Sequence, residues 1–191
     1  MDGGLAWLPQ AYDTGFSVTF AEGLDARSLL LRLGCEKESI DRIDEDDALD
    51  RQLTEDIVMI RAGERDGWAF AVQRWTAQAL QPGVLEAVSA GTRAFVVVKT
   101  ETIPWFSYCE DTEPACGFDP GAPSRRHGST PEWLLTAMAE VGLDPSPDPS
   151  PDAPPPTGVA GMLLLAEKAF GVDLPYEAVF SGELLGGIVP D

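Results

Sequence analysis

Two apolar runs joined by a short polar turn most constrain what this chain can fold into. Residues 56–62 and 68–73 have the composition of β-strands, and residues 63–67, which end in Asp-Gly, separate them. Such an arrangement predicts a β-hairpin. Large side chains alternate with the small Ala69 and Ala71 along the second strand, so one face of the strand has room for a packed helix. The hairpin therefore predicts an antiparallel sheet that a helix can cover.

Further strands and helices follow from the periodicity of apolar residues. Strands are predicted over residues 15–21, 95–98, 105–109 and 115–118. Helices are predicted over residues 25–33, 82–90, 130–141, 159–170 and 174–180, from capping residues and helical spacing. Adjacent strands with interspersed helices predict an α+β fold, with a mainly antiparallel sheet and helices packed on one face.

A run of proline and aspartate divides the chain. Residues 144–157 hold no large apolar side chain and predict an extended, flexible linker. Residues 1–143 are then an α+β domain. Residues 158–191 are a C-terminal helical segment that is too short to bury its own apolar stripe, so we expect it to dock on the domain or on a partner.

The net charge of −19 limits the classes of partner. Binding to nucleic acid or to anionic lipid depends on Lys and Arg, so neither is expected. The N-terminus lacks the pattern of a signal peptide, and no apolar run approaches the length that crosses a bilayer. We expect a soluble cytoplasmic protein with three reduced cysteines. The oligomeric state stays open.

Ten acidic residues against three basic ones lie in residues 36–56. Within this segment, the sequence does not match a calcium-binding EF-hand loop, because Ala48 and Leu49 stand where the pattern needs an Asp ligand and a Gly. One interpretation is a solvated face. The other is a surface that attracts a basic protein partner. Its candidate residues are Asp44, Glu45, Asp46, Asp47 and Asp50.

One basic cluster stands in this acidic chain. Arg125 and Arg126 are suited to clamp a carboxylate or phosphate, and His127 can transfer a proton. Alternatively, the arginines of this loop pair with the protein's own carboxylates. The two interpretations stay open.

No known catalytic, cofactor or metal motif is present in the sequence. Cys109 and Cys116 flank a six-residue loop, but this spacing matches no zinc pattern, and Cys35 has no basic neighbour in the sequence. We therefore expect buried thiols, no catalytic residue, no cofactor and no metal site.

Seven short segments along the chain are distinctive. They are Trp7-Leu-Pro, Arg32-Leu-Gly34, Gly67-Trp-Ala-Phe-Ala71, Leu85-Glu-Ala-Val-Ser-Ala-Gly91, Arg125-Arg-His-Gly128, Gly142-Leu-Asp144 and Leu165-Ala-Glu-Lys-Ala-Phe-Gly-Val172. These segments resemble an uncharacterised family of unknown function that is common in actinobacterial, streptomycete-type genomes. The resemblance covers nearly the whole chain and implies a bacterial, cytosolic protein without assigning an activity.

Two functional hypotheses follow. The first is a non-enzymatic acidic protein-binding module. Its specific form would be an immunity protein or an inhibitor that neutralises a basic partner. The alternative is a binding protein or enzyme for a small anionic molecule, with Arg125, Arg126 and His127 at the rim of an aromatic pocket.

Overall fold

A computed structural model describes residues 3–102, 104–146 and 157–190. Its eight strands form one antiparallel sheet in the order β2-β8-β3-β4-β1-β5-β6-β7. The strands are β1 (Phe16–Glu22), β2 (Asp41–Ile43), β3 (Val58–Arg65), β4 (Trp68–Arg74), β5 (Arg93–Lys99), β6 (Pro104–Glu110), β7 (Glu113–Phe118) and β8 (Leu184–Val189). The helices of the described residues are α1 (Leu8–Ala11), α2 (Ala26–Arg32), α3 (Glu45–Glu55), α4 (Val84–Val88), α5 (Leu135–Glu140), α6 (Gly158–Phe170) and α7 (Tyr176–Phe180). The α+β class and the antiparallel sheet are confirmed.

The β3–β4 hairpin is tighter than predicted. Strands β3 and β4 pair up to Arg65 opposite Trp68, so the turn is only Asp66-Gly67 instead of residues 63–67. Both turn residues have a left-handed backbone, with φ of 49° and 84°. Glycine and aspartate tolerate this conformation, which matches the right-handed twist of the paired strands.

Helices cover both faces of the sheet, and the prediction of helices on one face was wrong. The large side chains of the central strands pack on one face with α1, α5, α6 and α7. The small side chains on the other face, such as Ala69 and Ala71, pack against α2 and α4. Because successive side chains of a strand point to opposite faces and both sets are apolar here, each face requires its own cover.

The C-terminal segment supplies a strand as well as the predicted helices. Strand β8 lies between β2 and β3, where it pairs with both. A side chain at Gly186 would collide with Ile43, and one at Gly187 would come within 2.8 Å of Cys35. The two glycines thus allow Ile43 and Cys35 to approach the backbone of the last strand closely. Most of the predicted linker, residues 147–156, lies outside the described residues.

The acidic segment folds into strand β2 and helix α3. Asp44 caps α3, because its side chain accepts a hydrogen bond of 2.8 Å from the backbone N–H of Asp47. The helix buries Ala48 and ends at Glu55, and the capping residue Asp56 has a left-handed backbone. α3 therefore connects strands β2 and β3 and presents its other side to solvent.

Candidate functional site around the acidic helix

The outer side of α3 carries the predicted acidic surface. Asp46, Asp47 and Asp50 are exposed, and Asp44 is half-buried at the cap. Carboxylates in the first turn of a helix interact favourably with the positive end of its dipole. The first-turn acids therefore suit the local structure of α3 while they face solvent.

Glu45 is separated from this surface by burial. Glu45 is only 8% exposed, and its carboxylate binds the guanidinium groups of Arg61 on β3 and Arg74 on β4. The bond from Arg74 Nε to Glu45 Oε1 is 2.9 Å. Glu45 is thus no member of the exposed acidic surface on which the sequence placed it, because it neutralises charges inside the protein.

The sequence held a weak sign of this buried ion pair. Arg61 interrupts an otherwise apolar strand, and charged side chains are almost never fully buried without a partner. The identity of that partner was not readable, because Glu45 lies 16 residues away along the chain.

Arg61 and Arg74 surround Glu45 on the sheet side of α3. Arg61 Nη2 donates a bond of 3.1 Å to the carbonyl of Val179, and its Nε has no hydrogen-bond partner among the described residues. The guanidinium of Arg74 lies over the ring of Tyr12, 4.4 Å from the ring centroid. A cavity of about 10 Å³ beside these groups has room for one water molecule.

Tyr12 completes the buried cluster. Its pKa is raised well above the usual range, first by burial and then by the negative charge of Glu45. Its phenol is therefore protonated at neutral pH, and its hydroxyl lies 3.4 Å from Glu45 Oε2. The cluster ties helix α3 to β3, to β4 and to the segment after α1. We call these four residues, Tyr12, Glu45, Arg61 and Arg74, the buried ion cluster.

An open pocket lies at the first turn of α3. Carboxylates and two aromatic rings line its volume of about 440 Å³. The rings of Tyr176 and Phe180 stack in parallel, with centroids 4.3 Å apart. Carboxylates pair with cations, and aromatic faces attract them. The residues of this acid–aromatic pocket are Asp44, Glu45, Asp46, Tyr176, Phe180, Ser181, Gly182 and Glu183.

A larger groove of about 790 Å³ lies near the other end of α3, and we call it the Trp75 groove. Leu53 is 67% exposed and Trp75 is 39% exposed. The indole Nε1 of Trp75 donates a bond of 2.9 Å to Thr14 Oγ1. Sequence reasoning missed this groove, because its residues come from four separate parts of the chain. They are Thr14, Leu53, Trp75, Thr100, Glu101 and Thr102.

The basic cluster is divided between different environments. Arg125 is exposed, whereas Arg126 donates bonds of 2.9 and 3.0 Å to the carboxylate of Glu132 and one of 3.0 Å to the carbonyl of Pro145. His127 is exposed, pairs through its backbone with Gly117, and its ring lies 5.7 Å from that of Trp105. An anion that binds Arg126 through these nitrogens would therefore have to displace bonds that the protein already makes.

The three cysteines are buried free thiols. Burial raises the pKa of Cys35 and of Cys109 to about 12 and that of Cys116 to about 11. A thiol with so high a pKa carries little thiolate at neutral pH and is a poor nucleophile.

Metal-ligating clusters and membrane-spanning helices are both lacking in the part of the chain that the structure describes. Within it, no three His, Cys, Asp or Glu residues converge in a way that suits a metal ion. Within it as well, every helix is too short or too polar to cross a membrane.

Comparison with known proteins gives one match. The model of a protein family described as a family of unknown function, DUF6461, matches residues 5–191. No curated protein and no solved structure matches the chain.

Proposed function

The chain belongs to DUF6461, a family of unknown function, and we propose that it is a non-enzymatic acidic module that binds a basic protein partner through helix α3. The observation that carries this proposal is the exposure of Asp46, Asp47 and Asp50 on a helix that the buried ion cluster holds to the sheet. These acids lack the internal role that Glu45 fulfils. They remain available to a partner.

The anchoring of α3 favours binding as well as stability. Ordering a flexible segment on association costs free energy, so a surface that is already fixed keeps more of the contact energy. Carboxylates held on a rigid helix also steer a basic protein towards one face of the module.

The acid–aromatic pocket supports the same kind of partner. Asp44, Asp46 and Glu183 provide negative charge beside the stacked rings of Tyr176 and Phe180. A Lys or Arg side chain from the partner suits this combination, since its charge pairs with the carboxylates while its stem or guanidinium packs on a ring.

Within this proposal, the module is an immunity or inhibitor type of protein in a bacterial, actinobacterial cytoplasm, where it neutralises its partner. The net charge of −19 supports a basic protein and disfavours nucleic acid. The alternative, a small anionic ligand bound at Arg125, Arg126 and His127, has weaker support, because Arg126 is already bonded to Glu132 and Pro145.

A capture experiment with matched variants tests the proposal. The chain is immobilised and exposed to a native bacterial lysate at low and at moderate salt. The test variant carries Asp46→Asn, Asp47→Asn and Asp50→Asn. The control variant loses the same charge from other elements through Glu38→Gln, Glu86→Gln and Glu113→Gln.

We expect a basic protein that the wild type and the control variant retain at low salt. The test variant should lose it, and moderate salt should weaken its retention, because the attraction is electrostatic and screened by ions. Capture of no protein, or of one that both variants retain equally at either salt concentration, would contradict the proposal.

A further inference from the structure

We propose that the Trp75 groove binds an aromatic or large aliphatic side chain of the basic partner, directly beside the carboxylates of α3. This inference rests on the proposed function and adds an apolar anchor to it. The groove and the acids would then form one continuous docking surface along the helix.

The first observation is the exposure of apolar side chains. Five large apolar residues are exposed in the described part of the chain, and two of them, Leu53 and Trp75, line the same groove. Leu53 is the most exposed of the five. These two residues come from α3 and from the end of β4, so the tertiary fold brings them together. Exposed apolar side chains that line one groove are suited to receive an apolar group of a partner.

The second observation is the backbone of Trp75. Its φ is +63°, in the left-handed region that a bulky residue rarely adopts because the backbone is strained there. Its backbone N–H donates a bond of 3.1 Å to the carbonyl of Gly15, and its indole is bonded to Thr14. A glycine would adopt this backbone without strain. Stability alone therefore does not account for a half-exposed indole here.

The third observation is charge, which identifies the occupant. Glu101 lines the groove, and Asp50 lies one helical turn before Leu53. Two cations of the neighbouring elements are engaged within the chain. Arg51 pairs with Glu55 at 3.0 Å, and Lys99 Nζ donates a bond of 2.6 Å to the carbonyl of Asp13.

A basic segment suits this surface better than a second copy of the chain, because two copies that each carry −19 repel one another. Along α3, the distance from Asp46 to Leu53 is about 10 Å at the usual helical rise. One short segment of the partner can therefore reach both the acids and the groove.

The test begins with random peptides displayed on phage and selected on the wild-type chain. We expect enriched peptides that combine Lys or Arg with an aromatic or large aliphatic residue. An enriched peptide is then synthesised, and its Kd is measured by fluorescence anisotropy. Leu53→Ser and Trp75→Gly should each weaken binding by about 30-fold, as expected for an anchor in a groove.

Two controls accompany these variants. Leu31→Ser alters another exposed leucine, on α2, and should leave the Kd unchanged. The triple variant Asp46→Asn, Asp47→Asn and Asp50→Asn should weaken binding and reduce its dependence on salt. Leu53→Ser answers the question even where Trp75→Gly alters folding, because Leu53 is mostly exposed.

The outcomes separate the groove from the proposed function. Unchanged binding by Leu53→Ser and Trp75→Gly, with weaker binding by the triple variant, would overturn the groove and leave the acidic surface standing. Enriched peptides without Lys or Arg, or a triple variant that binds as the wild type does, would overturn the basic partner itself. A dimer in solution that Leu53→Ser dissociates would assign the groove to a second copy and overturn our inference.

Discussion

Helix α3 and the loop at residues 125–127 are both concentrations of charge in the sequence, yet the protein uses them differently. On α3, Glu45 is buried and pairs with two arginines, whereas Asp46, Asp47 and Asp50 face solvent. In the loop, Arg126 is bonded to groups of the same chain. The scarce positive charges serve the fold, and the surplus negative charges remain at the surface.

The overall balance of charge explains this difference. The chain has 13 Lys and Arg residues against 32 Asp and Glu residues. Within the described residues, Arg51, Arg61, Arg74, Arg93 and Arg126 each pair with a carboxylate. Most carboxylates must then lack a cationic partner. In such a chain a basic cluster is a poor indicator of a binding site, and an acidic cluster is a better one.

The substitution Glu45→Gln should have the largest effect on the free energy of unfolding. It leaves the buried Arg61 and the half-buried Arg74 without their shared negative partner, and loss of one member of a buried ion pair costs about 3–5 kcal/mol. Asp46→Asn, on the next residue, should change the free energy of unfolding by less than about 0.5 kcal/mol. Urea denaturation of both variants measures the difference. Equal effects would mean that Glu45 belongs to the surface.

A smaller contrast is expected within the basic loop. Arg126→Ala leaves the half-buried carbonyl of Pro145 without its donor, which should cost about 1–3 kcal/mol. Arg125→Ala should cost less than about 0.5 kcal/mol, because Arg125 is exposed. Thermal unfolding with calorimetry distinguishes the two. If Arg125→Ala were the more damaging change, our assignment of Arg126 as the structural residue would fail.

The exposed ion pair between Glu22 and Arg93 should contribute less to stability than the buried ion cluster. The hydrogen bond from Arg93 lowers the pKa of Glu22 below its usual value of 4.5. A lowered pKa in the folded state stabilises the protein above the unfolded pKa, and this stabilisation is lost as the pH falls through the folded value.

Glu22→Gln should therefore cost less than about 1 kcal/mol at pH 7, since the pair is solvent-exposed. The difference from the wild type should shrink as the pH falls below 4.5 and vanish once the folded-state carboxyl is protonated. Urea unfolding of both proteins across that pH range measures this, and a difference that persists at low pH would contradict the pairing.

The smallest change is expected in the reactivity of the three buried thiols. Burial raises the pKa of Cys116 to about 11, although the charge of Arg126 partly opposes this. In the folded protein at pH 8, we expect a thiol reagent such as Ellman's to react slowly with all three cysteines, and quickly once urea unfolds the chain. Rapid reaction of one cysteine in the folded state would show that its site activates a thiol.

Local patterns predicted most elements of this fold. The cap at Asp25, the strand containing Phe95 and the helix ending at Gly171 all depend on neighbours a few residues away. Strand β8 was not predicted, because Gly186 and Gly187 interrupt its apolar pattern, and glycine is unfavourable in a strand unless something approaches closely. The approach of Ile43 and Cys35 exists only after folding.

The α+β class, the hairpin and the excess of negative charge were predictable from the sequence, because composition and short-range periodicity encode these properties directly. Which charges are available depends on the tertiary structure. Glu45 and Asp46 are adjacent acids on one helix, and nothing local distinguishes them. Their roles differ because strands β3 and β4 place Arg61 and Arg74 beneath Glu45 alone. A buried charge requires a partner at contact distance, and that distance is set by the fold.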